Sequence, residues 1–165
     1  MNVAVARVHA QALAKPLASP AAVVEHLVCV QAALNYWNAA DNWLTRMFTV
    51  EYSFWFDYIL PGLDRLRLPI PLGGTSNHFR TRGLLMLGGW DPFNVTEDAD
   101  LGIRLALEGY LVGDLPSSTL EEAPARLSAW MRQRARWMKG YMQVCLTHSR
   151  HPSEALARVG PARLF

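Results

Sequence analysis

The segment Val95-Thr-Glu-Asp-Ala-Asp-Leu101 determines much of the expected fold, because it marks where a helix begins. Thr96 belongs to the residue types that cap helices, and three acids follow it within one turn. Acids in a first turn complement the helix dipole and stabilise an isolated helix by about 0.3 to 1 kcal/mol. The pattern predicts a helix over 97–108 that is capped by Thr96 and closed by Gly109.

The same acidic turn supports a structural and a functional interpretation. Complementation of the dipole is sufficient to explain Glu97, Asp98 and Asp100. The alternative is a general base, since a helix N-terminus keeps an aspartate ionised and a base must be ionised. Asp98 and Asp100 superficially match a two-aspartate metal motif, but helical geometry turns their side chains about 200° apart. We therefore assign no metal site to this pair.

Upstream of this turn the pattern predicts a strand and then an aromatic-rich helix. Residues 23–33 are mostly apolar and lead into the polar turn 35–42. Asp41 is a candidate cap for the helix, and Pro61-Gly62 would stop it. Such an apolar face could lie on a membrane surface, but core packing is the favoured interpretation. Its apolar positions at helical spacing are Leu44, Met47, Phe48, Trp55, Tyr58 and Ile59.

The remaining segments predict a helix-rich mixture of α/β or α+β type. Two prolines and two glycines make 68–77 an extended, turned loop. Thr81 can cap a short helix through Leu87, and 110–115 has the pattern of a short buried strand. One long final helix is indicated by apolar residues at i, i+3 and i+4 spacing: Leu127, Trp130, Met131, Met138, Tyr141, Met142 and Cys145.

Composition limits the classes to which the chain can belong. Its 165 residues suit one domain, and 51% hydrophobic with 18% charged residues is too apolar for a disordered tail. A net charge of +2 requires no polyanionic partner. No stretch approaches the roughly 18 to 20 apolar residues of a membrane span. Cys29 and Cys145 lack metal-ligand spacing and are predicted to be buried thiols in a reducing compartment.

The predicted final helix carries several basic residues and no acidic residue. Gln133, Arg136 and Trp137 stand at i, i+3 and i+4, which predicts an amide, a guanidinium and an indole on one face. Phosphate binding and a structural role, including cation–π packing around Trp137, both remain open for this segment. A nucleic-acid-binding helix is disfavoured by the small net charge and by the nearby Glu121 and Glu122.

Four motifs in order resemble those of a known enzyme family. They are Gly73-Gly-Thr-Ser-Asn-His-Phe-Arg80, Gly88-Gly-Trp-Asp91, Thr96-Glu97-Asp98 and Gln133-x-x-Arg136-Trp137. Together they resemble the family 2 glycosyltransferases of the processive, cellulose synthase-like branch, over about residues 28–147. The resemblance implies an α/β fold, namely the C-terminal part of a glycosyltransferase-A-type (nucleotide-diphospho-sugar transferase) domain.

The resemblance also implies a reaction, which is inverting transfer of a sugar from a nucleotide-diphosphate sugar to the hydroxyl of a glycan acceptor. Asp98 would be the base, Gln133 and Arg136 would contact the donor diphosphate, and Trp137 would form an aromatic floor for the acceptor sugar. Further substrate-contact candidates implied by the motifs are Thr96, Glu97, Gly74, Thr75, Ser76 and Asn77. The product would belong to polysaccharide or exopolysaccharide synthesis.

Parts of the family pattern have no counterpart in this sequence. Family members carry an upstream nucleotide-binding half and a two-aspartate site for a divalent metal, Mg²⁺ or Mn²⁺, whose main ligands are not found here. Flanking membrane helices are also usual, which implies the cytoplasmic side of a bacterial inner membrane for a full-length parent. We therefore expect a poorly defined segment over 1–27, the C-terminal part of a catalytic domain over 28–150 and a tail over 151–165. An inactive fragment, a non-catalytic remnant or a partner of a separate donor-binding half all remain open.

Overall fold

The computed structural model describes residues 26–66, 68–150 and 152–153. The predictions that concern residues 1–25 and most of the tail 151–165 lie outside the described residues. Within them, three strands combine with five α-helices and one π-helical segment, which confirms the mixed α/β prediction. The elements are β1 (Leu27–Tyr36), α1 (Trp43–Phe54), the π segment (Trp55–Ile59), α2 (Leu60–Leu66), β2 (Asn77–Phe79), α3 (Thr81–Met86), α4 (Glu97–Leu107), β3 (Leu111–Glu121) and α5 (Leu127–His148).

The three described strands form one mixed sheet with β1 in the centre. β2 pairs with β1 in the antiparallel sense, and β3 pairs with it in the parallel sense. β3 is longer than the predicted strand 110–115, and its register shifts where Ala32 pairs with Leu115 but Ala33 with Ser118. This irregularity accommodates Pro116, which has no N–H for a regular ladder. Within the predicted strand 110–115, Gly113 is buried and Tyr110 and Val112 pack against the core, whereas Asp114 is exposed, so the prediction of a buried strand is correct only in part.

The first helix begins one residue later and continues further than predicted. The Asn42 side chain accepts hydrogen bonds from the backbone N–H groups of Leu44 and Thr45, so Asn42 is the cap instead of Asp41. The helix does not stop at Pro61-Gly62, because the π segment precedes α2 and places Pro61 in the first turn of α2. A missing N–H is tolerated in a first turn.

The apolar core lies where β1 meets the surrounding helices and loops. Cys29 is 1% exposed, and burial raises the pKa of its thiol to about 12. On the helix side, Phe48 packs against Tyr36 of β1 with ring centroids 4.8 Å apart. Phe56 and Leu60 form a second buried group with Leu34.

The apolar positions predicted along the first and the last long helix are only partly covered by the described residues. In α1 and the π segment, Met47 and Tyr58 are exposed, and in α5 the exposed residues are Leu127, Met131, Met138, Tyr141, Met142 and Cys145. The interpretation of the upstream stripe as core is therefore wrong for Met47 and Tyr58, and the predicted burial of Cys145 is wrong as well. Helical periodicity identifies an apolar face but not what covers it. No helix in the described part of the chain is long and apolar enough to span a membrane.

The predictions for α3, α4 and α5 agree with the structure except at the caps. α4 begins at Glu97, and Gly109 follows it with φ +77°, as predicted. Thr96 occupies the cap position, but its side chain makes no capping hydrogen bond. Arg80, and not Thr81, occupies the cap position of α3. α5 is one continuous helix, as its spacing predicts.

Candidate active-site cavity

A cavity of about 440 Å³ lies where five parts of the fold meet. Its walls come from α1 and the π segment, the loop 72–75, the start of α4, the end of β3 and the middle of α5. The functional side chains that line it are Glu51, Tyr52, Thr75, Thr96, Glu97, Asp98, Glu121, Arg134, Arg136, Trp137 and Tyr141. The Thr-Glu-Asp motif and the Arg-Trp pair, 38 or more positions apart in the chain, therefore share one cavity.

Asp98 stands at the start of α4 and is partly shielded from solvent. Its Oδ1 accepts a hydrogen bond from the Ala99 backbone N–H at 2.8 Å. A Cβ placed on Gly74 would lie 3.3 Å from Asp98 Oδ2, so the loop backbone covers the carboxylate closely. Burial raises the pKa of Asp98 above its ordinary value, with a smaller contribution from the charge of Glu97. Desolvation outweighs the hydrogen bond from Ala99, so the position at the helix N-terminus does not lower the pKa of Asp98.

Thr96 joins the two helices that carry the motifs. It is 5% exposed, and its backbone N–H donates to Asn94 Oδ1 at 3.1 Å. A Cβ on Gly140 of α5 would lie 2.5 Å from Thr96 Oγ1, so the two segments are in direct contact. Glu97 lines the cavity and is exposed.

Asp100 lies outside this cavity and has different partners. Its carboxylate accepts from Arg104 Nε at 2.8 Å and pairs with His148 Nε2, also at 2.8 Å. Arg104 in turn donates to the backbone oxygens of Leu87 and Gly89. Asp98 and Asp100 therefore point to separate surroundings, as the helical rotation predicts.

The Gln-Arg-Trp motif of α5 borders two adjoining spaces. Trp137 lines the main cavity, and Gln133 lines a more open hollow of about 510 Å³ beside it. Arg136 borders both spaces, and Arg132 borders the hollow. Gln133 Oε1 is buried and has no hydrogen-bond partner within the described residues. The predicted common face is thus divided between the two spaces, with Arg136 at their junction.

Arg134 is a cavity residue to which the motif assigned no function. Its guanidinium carbon lies 4.6 Å from the ring centroid of Phe48, 5.3 Å from that of Trp130 and 5.1 Å from that of Trp137. It also forms an ion pair with Glu51. The structural alternative of cation–π packing around Trp137 is therefore correct for Arg134. This packing restricts the orientation of the Trp137 indole.

The loop residues of the Gly-Gly-Thr-Ser-Asn motif separate into two groups. Gly74 and Thr75 line the cavity, and the Thr75 hydroxyl donates to Glu121. Ser76 and Asn77 do not line it: the Ser76 hydroxyl bonds that of Thr119, and the Asn77 amide donates to Gly73 O. Ser76 adopts φ 57°, a strained turn conformation for a residue other than glycine. The last two residues therefore shape the loop in this structure instead of facing the cavity.

Two more residues near the cavity were not singled out from the sequence. Gln31 of β1 is 4% exposed and bonds the backbone of the loop at Gly73 and Thr75. A polar side chain inside an apolar strand was the signal that could have identified it. Tyr141 entered the sequence analysis only as an apolar position of the final helix, but it lines the cavity. Although its side chain is partly exposed, desolvation in the cavity raises the pKa of Tyr141, and the negative charge of Asp98 raises it further.

The divalent metal implied by the resemblance finds no ligand set among the described residues. No group of three or more His, Cys, Asp or Glu side chains there is arranged to hold a metal ion. Asp98 and Asp100 do not supply one, since Asp100 is paired with Arg104 and His148. The residues present in the described part do not fit a metal site.

Comparison with known proteins gives consistent matches. The family model described as glycosyl transferase family group 2 matches residues 10–163. The probable glycosyltransferase YdaM of Bacillus subtilis (strain 168) is 34% identical over 111 residues, which cover 66% of this chain and 26% of that protein.

Two plant proteins match over nearly the same length. The probable glucomannan 4-beta-mannosyltransferase 7 of Oryza sativa subsp. japonica is 28% identical over 70% of this chain and 20% of its own length. The probable glucomannan 4-beta-mannosyltransferase 11 of Arabidopsis thaliana is 28% identical over 69% of this chain and 26% of its own length. The chain thus spans about a quarter or less of these relatives.

Proposed function

The chain belongs to glycosyl transferase family group 2, and we propose that it supplies the acceptor side and part of the leaving-group side of an inverting sugar-transfer site. The donor is a nucleotide-diphosphate sugar, and the acceptor is a glycan hydroxyl. Relatives named as glucomannan mannosyltransferases support a polysaccharide product, and the order of the four motifs supports the processive, cellulose synthase-like branch.

The observation that carries this proposal is the position of Asp98 in the cavity. Its carboxylate shares the cavity with a guanidinium, Arg136, and an indole, Trp137. Burial raises its pKa, which makes the ionised form a stronger base than an exposed aspartate. A hydroxyl bound in the cavity can transfer its proton to Asp98 as its oxygen attacks the anomeric carbon of the donor. The same displacement breaks the bond from that carbon to the diphosphate and inverts the configuration.

The departing diphosphate requires positive charge and hydrogen-bond donors. Arg136 borders the cavity and the adjoining hollow, where it lies beside Gln133 and Arg132. Guanidinium groups bind phosphate oxygens in bidentate geometry, and such bonds are stronger than neutral ones. This arrangement supports a diphosphate in the hollow with its sugar directed into the cavity toward Asp98.

Trp137 provides an apolar surface for the acceptor. A sugar ring presents C–H groups on its faces, and an indole offers a large flat surface for them. Arg134 packs against the Trp137 ring and helps to hold it in place. Thr75, Glu97 and Glu121 also line the cavity and can bind sugar hydroxyls there.

The activity of the whole enzyme requires residues beyond these. The chain spans about a quarter of its relatives' length, and the described residues fit no metal site. We propose that a donor-binding half completes the site, that the chain alone does not turn over, and that the enzyme works at the cytoplasmic side of a bacterial inner membrane. Metal-dependent release of nucleoside diphosphate by the isolated chain, above that of its Asp98→Asn variant, would contradict the second of these points.

The proposed function is tested with Asp98→Asn in an enzyme that contains this segment. The amide preserves size but cannot accept the proton, so turnover should fall by about 10²- to 10⁴-fold. Asp57→Asn is the matched control, because Asp57 is an exposed acid outside the cavity and its replacement should leave turnover unchanged. Nucleoside diphosphate release from nucleotide sugars is the readout. Near-normal release by Asp98→Asn would exclude Asp98 as the base, and no release by the unaltered enzyme would favour a non-catalytic remnant.

A further inference from the structure

Gln31 connects the central strand to the loop that covers Asp98. Its Oε1 accepts a hydrogen bond from the Gly73 backbone N–H at 2.9 Å. Its Nε2 donates to the Thr75 backbone oxygen at 3.1 Å and to that of Ala32 at 2.8 Å. The side chain is 4% exposed, so these bonds form with little competition from water. One amide therefore holds the loop on both sides of Gly74.

The loop backbone is closely packed between the core and Asp98. A Cβ on Gly73 would lie 3.0 Å from the Phe56 ring and 3.1 Å from Leu34, so the backbone at Gly73 is already packed against the core. On the other side, a Cβ on Gly74 would lie 3.3 Å from Asp98 Oδ2. The loop backbone thus fills the space between the core and the carboxylate.

We propose that Gln31 is a positioning residue for Asp98, because it holds the Gly73–Thr75 backbone over the carboxylate and keeps water from one side of it. The catalytic consequence of this role rests on the proposed function, but the positioning itself does not. Two outer bonds, from Thr75 to Glu121 and from Ser76 to Thr119, attach the same loop to β3. The bond to Glu121 is exposed, so water can replace it, whereas the buried bonds of Gln31 cannot be replaced in that way.

Asp98 has other charged and titratable neighbours whose contributions must be kept constant. Glu97 precedes it on α4, and Tyr141 faces it from α5. The remaining charged groups that line the cavity are Glu51, Glu121, Arg134 and Arg136. Gln31 is uncharged, so its replacement by methionine leaves all these charges in place. A change in the titration of Asp98 would then report access of water to the carboxylate.

The test is a pH titration of Asp98 by carboxyl ¹³C NMR in the chain and in its Gln31→Met variant. The Asp98→Asn variant identifies the resonance. Methionine is nearly isosteric but can hold neither Gly73 nor Thr75, so the loop should withdraw and the pKa of Asp98 should fall toward that of an ordinary aspartate. The control is Leu105→Val, which removes core volume from α4 away from the cavity and should leave the titration unchanged. An unchanged Asp98 titration in folded Gln31→Met would overturn the proposal.

A second measurement needs no variant. The Gly73 amide proton should exchange with solvent much more slowly than that of Gly74, the exposed next residue of the loop, because Gln31 accepts the Gly73 N–H. Equal exchange rates for the two amides would overturn the proposal even if Gln31→Met failed to fold.

Measuring turnover distinguishes a failure of this inference from a failure of the proposed function. In an enzyme containing the segment, Gln31→Met should lower kcat by about 10- to 100-fold while the KM for the donor is unchanged, since a small misplacement of a reacting group has that effect. The acid limb of its pH profile should move to lower pH, together with the pKa of Asp98. A shifted titration combined with full activity of Asp98→Asn would retain the positioning role and reject Asp98 as the base.

Discussion

Replacing Gly140 by alanine tests the contact between α5 and the Thr-Glu-Asp motif. Alanine is favoured over glycine within a helix by about 1 kcal/mol, so helix propensity alone predicts a more stable protein. The structure predicts the opposite, because the new Cβ would lie 2.5 Å from Thr96 Oγ1 and 2.9 Å from Thr96 Cβ. Thr96 is 5% exposed and cannot rotate into solvent. Overpacking of this kind costs about 1 to 3 kcal/mol, which leaves a net loss of up to about 2 kcal/mol.

Gly62→Ala is the matched control for this substitution. Gly62 also lies within a helix, α2, but a Cβ there would meet no atom within 4 Å. Its replacement should therefore stabilise the chain by about 0.5 to 1 kcal/mol. Urea denaturation of the three proteins measures the free energy of unfolding directly. Equal stabilisation by Gly140→Ala and Gly62→Ala would refute the close packing of α5 on Thr96 and, with it, the geometry of the cavity.

Three further predictions follow from the same structure. Arg136→Ala should weaken binding of nucleoside diphosphate, whereas Trp137→Ala should chiefly raise the acceptor concentration needed for transfer. Calorimetric titration of each variant measures the two affinities, and an unchanged diphosphate affinity in Arg136→Ala would exclude Arg136 as a diphosphate ligand. Asp98→Asn should stabilise the chain at neutral pH, because burial raises the pKa of Asp98 in the folded state and its ionisation therefore lowers the free energy of unfolding. The difference in unfolding free energy between the two proteins should disappear as the pH falls below the ordinary pKa of an aspartate, where the carboxyl is protonated in both states. Destabilisation at neutral pH would contradict the burial of Asp98. The chain should self-associate through its exposed apolar side chains. Replacing Met138 and Met142 by lysine should reduce the apparent mass in size-exclusion chromatography. An apparent mass equal to that of the unaltered chain would exclude this face of α5 as the association surface.

The elements that the sequence predicted well are those with local signals. α4 begins at Glu97 with three acids in its first turn, and a glycine with positive φ, Gly109, follows its end. α5 is continuous because Leu127–His148 contains no proline and keeps helical spacing. The association of the motifs at Asp98 and Trp137 in one cavity followed from the family resemblance and not from local signals.

The incorrect predictions concern the surroundings of each helix and strand, which depend on residues elsewhere in the protein. Periodicity identified apolar faces on α1 and α5, but whether Met47 or Met138 is covered depends on other parts of the protein. Nothing in the sequence indicated that the pKa of Asp98 would be raised, because the main cause of the shift is burial, to which the distant Gly74 loop contributes. Gln31 was missed because its function depends on a loop more than 40 positions later in the chain.

The most direct test of the central claim is the pH dependence of kcat/KM in an enzyme that contains this segment. If Asp98 is the base, activity requires its ionised form, so the acid limb should lie above the ordinary range of an aspartate because burial raises its pKa. The residual activity of Asp98→Asn should lack this limb. The same acid limb in both enzymes would show that another group accepts the proton and would contradict the account.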